Sequence, residues 1–331
     1  MHKISTALEL TPTQVEQVIG LAGLAPSLHN TQPWQFRILP HLIELHFDPA
    51  RRLPIADPDG RELRLACGAA LFNLRIALES AGVRPLVTLL PHLAHPTTLA
   101  EIRGGGRPEP RPLAVKLHAA IPQRHSHREP FRDVPVQTTD RHELLLAAQS
   151  EQCWLHVVTP GELGALEGLV HRAHRTQQAD SRFRAELAAW TGQSTGAVDG
   201  VPTDAAGPRP EPQDQWVHRD FSGGLAERPE GTAYESWPLL VVLCTPHDSP
   251  ADELRAGQAL ENVWLTATSR NLSASMISEV VEVREIRDEL RQLLGGTLHP
   301  QAMLRIGYGR PTVPAPRRAV GDLLLDGSTP I

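Results

Sequence analysis

One segment of the sequence occurs twice, and the repetition restricts the folds open to the chain. Residues 65–73 read Leu-Ala-Cys-Gly-Ala-Ala-Leu-Phe-Asn and residues 254–262 read Leu-Arg-Ala-Gly-Gln-Ala-Leu-Glu-Asn, with the Leu, Gly, Ala, Leu and Asn positions shared. Each segment has apolar residues at helical spacing. Each leads to a residue suited to the left-handed conformation at a helix end, Gly82 or Asn271. The sequence therefore predicts two related halves.

The order of elements around the repeated helix supports this division. In the first half, Thr11-Pro12-Thr13-Gln14 predicts a helix start, and that helix leads to an apolar strand at residues 34–38. In the second half, a predicted helix at residues 140–148 leads to an apolar strand at residues 153–158. Helix and strand thus follow each other in the same order twice.

Glycine and proline interrupt all periodicity at residues 103–112. The three consecutive glycines lack the Gly-Lys-Ser/Thr ending of a phosphate loop, so we predict a linker. The predicted domains are residues 1–112 and 113–331. The second is longer because it carries an insertion at about residues 162–236, beginning with a helical pattern.

The later part of the insertion, residues 191–231, is rich in Gly, Pro, Asp and Gln. Two interpretations stay open. A disordered surface loop would have this composition. A lid over a site is favoured by Trp216, His218, Arg219, Asp220 and Phe221, which a solvating loop would not need.

Composition excludes several classes of protein. The 331 residues carry a net charge of −6 and only two lysines, Lys3 and Lys116, so no basic surface is expected for nucleic acid or an acidic membrane. The start lacks the apolar run of a signal peptide, and no stretch approaches a membrane span, so we expect a cytoplasmic protein. Three scattered cysteines offer neither a disulfide framework nor a Cys-x-x-Cys metal site, and no metal is expected.

Residues 24–36 form a stiff polar corner between the first predicted helix and strand. Pro26 and Pro33 restrict the backbone, and Ser27, Asn30 and Gln32 supply short polar groups. The segment is either a connection anchored in the core by its aromatic residues or a wall for a flat ligand rich in heteroatoms.

A second polar segment, Arg124-x-Ser126-x-Arg128, precedes the helix at residues 140–148. It is either a solvated helix end or an anion site. Two guanidinium groups and a hydroxyl within five residues can make several charge-assisted hydrogen bonds to one phosphate.

Both segments resemble motifs of one family. Ala25-Pro26-Ser27-x-x-Asn30-x-Gln32-Pro33-Trp34-x-Phe36 is similar to the flavin-pocket motif of the nitroreductase family, and particularly to its Acg-like FMN-binding branch. Arg124-x-Ser126-x-Arg128 resembles the motif that holds FMN near the start of these proteins. Residues 275–279 resemble, without the Glu-Gly pair often found there, the segment whose backbone amides face the flavin, and Arg317-Arg318 resembles a late basic pair at the phosphate.

The resemblance implies an α+β nitroreductase-like fold with one FMN between the halves. The implied phosphate ligands are Arg124, Ser126, Arg128 and Arg317; the implied ring and ribityl contacts are Pro26, Ser27, Asn30, Gln32, Met276, Ile277 and Ser278. Each half lacks what the other keeps, since the second half has lost the prolines and Asn of the corner and the first half has no basic motif. We therefore predict two degenerate repeats that form an internal pseudo-dimer, and a monomeric protein.

The implied activity is hydride transfer from NAD(P)H to FMN and onward to an electrophile such as a nitroaromatic or quinone. No catalytic side chain is predicted, because the flavin carries the chemistry. The alternative is an FMN storage or sequestration protein whose lid obstructs the nicotinamide and leaves little or no reductase activity.

Overall fold

The structure is a computed structural model and describes residues 4–92, 95–193, 197–228, 233–235, 237–310 and 312–325. The α-helices are α1 Pro12–Ala22, α2 Arg61–Ser80, α3 Pro112–Ala120, α4 Thr138–Ser150, α5 Leu163–Ala179, α6 Ser181–Trp190, α7 Pro250–Ser269, α8 Glu279–Glu282 and α9 Arg284–Leu293. The strands are β1 Trp34–Leu39, β2 Leu42–Phe47, β3 Pro85–Leu89, β4 Thr98–Gly104, β5 Trp154–Val157, β6 Thr191–Gln193, β7 Val201–Pro202, β8 Leu239–Thr245, β9 Ser273–Met276 and β10 His299–Gly307.

Two antiparallel four-stranded sheets organise the chain. Their strand orders are β1-β2-β4-β3 and β5-β8-β10-β9, so the same topology occurs in each half of the sequence. Helices pack on both sheets, and the α+β prediction is confirmed. Among the described residues, no helix is long and apolar enough to cross a membrane.

Local sequence signals explain most helix ends. Thr11 caps α1 in a capping box with Gln14, as predicted. The sequence Asp59-x-x-Glu62 has the spacing of a helix cap and predicts a helix start at Asp59, but this prediction is wrong, because α2 begins after Gly60. The Asp57 carboxylate accepts from the amides of Glu62 and Leu63 instead, at 3.1 and 2.9 Å. Gly82 and Asn271 both have the predicted left-handed conformation, with φ of 77° and 58°.

The central strand β8 is buried on both faces. Val241 and Leu243 pack into a core with α4 and α7, whereas Leu240 and Val242 pack against α5, α8 and α9. Because alternate residues point to opposite faces of a strand, a strand covered on both sides must be apolar throughout. This accounts for the unbroken apolar run in the sequence.

The two repeated helices, α2 and α7, cross in direct backbone contact. A Cβ atom added at Gly68 would lie 2.3 Å from the carbonyl oxygen of Leu254, and one added at Gly257 would lie 2.0 Å from that of Leu65. These four positions are equivalent in the sequence repeat, so the contact is reciprocal, as at a two-fold interface. Only glycine permits the approach.

The C-terminal segment returns to the first half of the chain. The Leu325 amide donates to the carbonyl of Phe36 at 2.9 Å, and Leu323 packs closely over Gly23. This path carries residues 314–318 past the polar corner at residues 24–36.

We predict that Gly257→Ala destabilises the protein by about 3 kcal/mol, because the new methyl group meets a carbonyl on a rigid helix and overpacking costs energy of this order. Chemical unfolding monitored by circular dichroism measures the change. Gly168→Ala is the matched control, since an added Cβ in that exposed turn of α5 has no neighbour within 4 Å. Gly168→Ala should raise the free energy of unfolding by about 0.5–1 kcal/mol, because alanine has a higher helix propensity than glycine. Equal stability for both variants would contradict the proposed role of the helix crossing.

Candidate ligand-binding site

Three arginines from distant parts of the chain converge on the polar corner. Arg124 follows α3 and donates from Nη2 to the Leu24 carbonyl at 2.9 Å. Arg317, on the C-terminal segment, donates to the Ala25 carbonyl at 3.2 Å. A cavity of about 70 Å³ at this junction is lined by seven predicted site residues, namely Pro26, Ser27, Asn30, Arg124, Ser126, Arg128 and Arg317.

The cavity has an excess of positive charge. Burial, with a smaller effect of Arg124, lowers the pKa of Arg317 to about 9, and the same two causes lower the pKa of Arg128 to about 10. The nearest carboxylate is that of Glu261, whose Oε1 lies 3.4 Å from Arg124 Nε without forming a hydrogen bond. Nε and Nη1 of Arg124 and Nε of Arg317 are buried without hydrogen-bond partners among the described residues. The donors therefore suit a bound anion.

The polar corner is held in an unusual backbone conformation. His29, Asn30 and Gln32 have φ of 52°, 56° and 50°, a region that costs non-glycine residues energy and persists only when surrounding contacts enforce it. The Ser27 hydroxyl accepts from the Gln32 amide at 2.9 Å. Asn30 Oδ1 accepts from Arg317 Nη1 at 3.0 Å. The corner and the C-terminal arginine thus fix each other.

Gln32 lies outside the lining of this cavity. Its side chain is buried, donates to the Val198 carbonyl at 2.8 Å and accepts from the Arg318 amide at 2.8 Å. The structure therefore places Gln32 as a tie between the corner, the insertion and the C-terminal segment.

Met276, Ile277 and Ser278 line a second cavity, of about 30 Å³, which shares Arg128 with the first. The expectation that the Ile277 amide faces a ligand is corrected, because it donates to the Met303 carbonyl at 2.9 Å in the sheet. Amides alternate in direction along an antiparallel strand. The Met276 amide therefore points to the outer edge of β9, where the His127 amide donates to the Ala274 carbonyl at 2.9 Å.

The insertion covers the second cavity and contacts Arg128, which the two cavities share. The Arg128 guanidinium stacks on Phe221, 4.6 Å from the ring centroid, and donates to the Ala205 carbonyl at 2.8 Å. A Cβ at Gly207 would lie 2.7 Å from the Arg128 carbonyl oxygen, so the backbones are in close contact. We call residues 197–228 the lid. Of the two interpretations of this segment, the packing favours the lid.

Arg219 anchors the lid to the second half. It forms a two-pronged ion pair with Glu282, at 3.1 and 2.8 Å, and donates to Ser278 Oγ at 3.0 Å and to Gln177 Oε1 at 2.8 Å. Burial opposes ionisation of Glu282, but the adjacent Arg219 outweighs it and lowers the pKa of the carboxyl to about 2. The pair is therefore charged and fully desolvated.

Sequence reasoning missed two buried residues at the site. Glu261 is fully buried on α7 at the position that aligns with Phe72 in the repeat, and this exchange of an apolar for a charged residue was the available signal. His29 is 3% exposed, and neither ring nitrogen has a hydrogen-bond partner in the described ranges. Burial and Arg219 lower its pKa to about 3. Its neutral ring lies edge-on to Phe221, with centroids 6.3 Å apart.

Histidines elsewhere do not form a metal site. The His218 ring packs on His171 and His174, with centroids 4.2 and 5.5 Å away, in tilted contacts. Across the described ranges, no three His, Cys, Asp or Glu side chains converge as metal ligands would. Larger cavities, of about 530 Å³ beside Arg111 and 310 Å³ beside Trp237, are lined by residues outside the arginine cluster. In the first of these, Arg75 and Arg111 are already paired with Glu151 and Glu79.

Comparison with known proteins identifies the family. The profile described as "Nitroreductase: Nitroreductase family" matches residues 121–308. The "Putative NAD(P)H nitroreductase Rv3131" of Mycobacterium tuberculosis is 34% identical over 94% of this chain and 90% of its own length. This chain belongs to the nitroreductase family. The family resemblance predicted from the motifs is thereby confirmed.

Other nitroreductase relatives show the same likeness at lower identity. The "Putative NAD(P)H nitroreductase acg" of Mycobacterium tuberculosis is 29% identical over 95% of this chain and 96% of its own. Among solved structures, a nitroreductase with bound FMN from Bacteroides fragilis aligns with 65% of this chain and 97% of its own, at 15% identity and a TM-score of 0.37.

We predict that Arg219→Met destabilises the protein by about 3–5 kcal/mol, because it leaves the Glu282 carboxylate buried without its countercharge. The matched control is Arg172→Met, which breaks the exposed pair with Glu289 and should cost about 0–1 kcal/mol. Urea unfolding of both variants provides the comparison. If the two variants differ from wild type by the same small amount, Arg219 does not anchor the lid.

Proposed function

We propose that this nitroreductase-family protein binds one FMN across the junction of its two halves and acts as an FMN-dependent oxidoreductase. The observation that carries the proposal is the meeting of Arg124, Arg128 and Arg317 at the predicted polar corner, beside the cavity lined by Met276 and Ser278. One end of this arrangement is cationic and the other presents peptide groups, as a phosphorylated planar ligand requires.

The first cavity fits the phosphate of FMN. Among the described residues, its three guanidinium groups, two of which have buried nitrogens without hydrogen-bond partners, outnumber the one carboxylate paired with them, that of Glu261. The Ser126 hydroxyl also lines the cavity and can donate to a phosphate oxygen. A phosphate bound by several arginines makes charge-assisted hydrogen bonds that a neutral ligand cannot make.

The second cavity marks the proposed ring position. At about 30 Å³ it is far smaller than the ~300–1,000 Å³ of pockets that enclose a drug-sized ligand, so the lid must shift to admit a flavin ring. The Met276 amide at the outer edge of β9 would donate to the ring and stabilise negative charge on its reduced form. When bound, FMN supplies the chemistry by accepting a hydride from NAD(P)H and passing electrons to an electrophile such as a nitroaromatic or quinone.

The pseudo-dimer proposal is supported by three features of the fold. The sheets share one strand order, the repeated helices cross reciprocally at Gly68 and Gly257, and the C-terminal segment of the second half returns to the first. The interface that joins two subunits in an ordinary family dimer would then lie within one chain. We therefore propose a monomer with domains 1–112 and 113–331; a cytoplasmic location stays a prediction.

Storage or sequestration of FMN is the second candidate function. It is favoured by the stack of Phe221 on Arg128 and by the desolvated anchor of Arg219, which together hold the lid over the site. A lid that stays closed over a bound ring would keep a nicotinamide from stacking on it.

We predict that Arg124→Ala combined with Arg128→Ala weakens FMN binding by about 100-fold or more, because each charge-assisted hydrogen bond contributes about 1.5–3 kcal/mol. Fluorescence titration with FMN measures the loss. Riboflavin, which has no phosphate, should lose much less affinity. Arg132→Ala is the control, because Arg132 is exposed in the same segment and lies outside both cavities. Unchanged FMN affinity in the double variant would remove the phosphate assignment.

The activity is tested by mixing the FMN-loaded protein with NADH or NADPH without oxygen and following flavin absorbance. We expect rapid bleaching and its reversal by a quinone. A yellow protein that neither nucleotide bleaches would favour storage. A protein that stays colourless after incubation with FMN would overturn both functions.

A further inference from the structure

A buried carboxylate lies behind the arginine cluster and takes no part in the proposed binding contacts. The Glu261 side chain is 0% exposed, and neither of its oxygens has a well-formed hydrogen bond within the part of the chain that the structure describes. Its nearest charged partner is Arg124, at 3.4 Å from Nε, and the Asn73 amide on the facing α2 lies beside it without a well-formed hydrogen bond. A buried charge this poorly satisfied is costly.

Glu261 and a ligand phosphate would use the same positive charge. Arg124 lines the cavity and faces Glu261, and its Nη2 donates a hydrogen bond to the Leu24 carbonyl. A phosphate bound to Arg124 would draw the guanidinium into hydrogen bonds and place two further negative charges near the carboxylate. Like charges in a desolvated site disfavour ionisation of the weaker acid.

This inference rests on the proposed FMN function: we infer that Glu261 is a positioning residue that takes up a proton from solvent when the phosphate dianion binds. The arginine cluster then exchanges one buried anion, the Glu261 carboxylate, for another, the ligand phosphate. The carboxylate balances Arg124 in the free protein. Once protonated, it releases that charge to the ligand. FMN binding is thereby coupled to pH, whereas riboflavin binding is not.

The groups that face Glu261 are consistent with this exchange. Burial raises the pKa of Glu261 to about 7 in the free protein, with Arg124, the Asn73 amide and Arg317 opposing the rise. The pKa values of Arg317 and Arg128, about 9 and 10, keep both protonated at pH 7.5. His125 also lines the cavity; burial lowers its pKa, so it is neutral at that pH.

Thermodynamic linkage sets the direction in which FMN affinity changes with pH. If the pKa of Glu261 is higher in the complex than in the free protein, the complex holds more protons between those two pKa values. FMN affinity then rises as pH falls from about 8.5 toward 7 and levels off below the free-protein pKa. The phosphate ester, with a second pKa of about 6, is already a dianion throughout this window.

The experiment is calorimetric titration of the flavin-free full chain with FMN at pH 7.5, in two buffers of different ionisation enthalpy. We expect uptake of about half a proton or more per FMN, and affinity that strengthens several-fold between pH 8.5 and 7. Riboflavin binding should show no uptake. Glu261→Gln should bind FMN at least as tightly as wild type at pH 8.5, with no uptake.

Glu62→Gln is the matched control, because Glu62 is also buried with its pKa raised to about 7, but pairs with Arg61 away from the cavity. It should retain wild-type uptake. FMN binding by wild type without proton uptake, or uptake retained in Glu261→Gln, would overturn the inference while leaving the FMN function standing. Absence of FMN binding would overturn both.

A second measurement does not depend on any variant. Infrared difference spectra of wild type with and without FMN should show a new band of a protonated buried carboxyl group that is missing with riboflavin. Its absence would overturn the inference even if Glu261→Gln failed to fold.

Discussion

The backbone contact between α2 and α7 sets the geometry of the rest of the molecule. With glycine at residues 68 and 257, the helix backbones touch, and the sheets that pack on each helix are held in a fixed relation. The contact also places Asn73 of α2 beside Glu261 of α7, directly behind Arg124. A wider crossing would separate the polar corner from the arginine cluster. The proposed site therefore depends on glycine, which has no side chain, at both residue 68 and residue 257.

The arrangement of the arginine cluster suits ligand binding at the expense of the stability of the folded protein. Burial, and to a smaller extent Arg124, lower the pKa values of Arg128 and Arg317. The adjacent carboxylate of Glu261 lies 3.4 Å from Arg124 Nε without a hydrogen bond to it. A protein selected only for stability would pair these charges or replace them by apolar groups. Arg219 and Glu282 show the contrasting arrangement, in which a buried pair is fully hydrogen-bonded. The unpaired nitrogens are therefore the feature that supports the proposed binding site.

Elements with strong local signals were predictable from the sequence. Thr11 and Gln14 define the start of α1, the apolar run at residues 239–244 defines a central strand, and motif residues as distant as Ser27 and Arg317 do line one cavity. Features that depend on tertiary contacts were not. The local sequence does not distinguish Asp57 from Asp59 as the residue that caps α2. The hydrogen bond from the Ile277 amide to the Met303 carbonyl is set only by the register of β9 on β10. The partner of Arg219 lies 63 residues away on α8.

Arg128 connects ligand capture to lid position. Its guanidinium lines both cavities, donates to the Ala205 carbonyl and stacks on Phe221. In the proposed complex, a phosphate that recruits this guanidinium would compete with both of its lid contacts. Binding would then loosen these two contacts, and the two contacts would weaken phosphate binding by the same free energy. Arg219 is bound to Glu282 outside this exchange and would keep the segment attached during such a shift. On the proposed function, the balance between turnover and storage would then depend on how far Phe221 withdraws from Arg128.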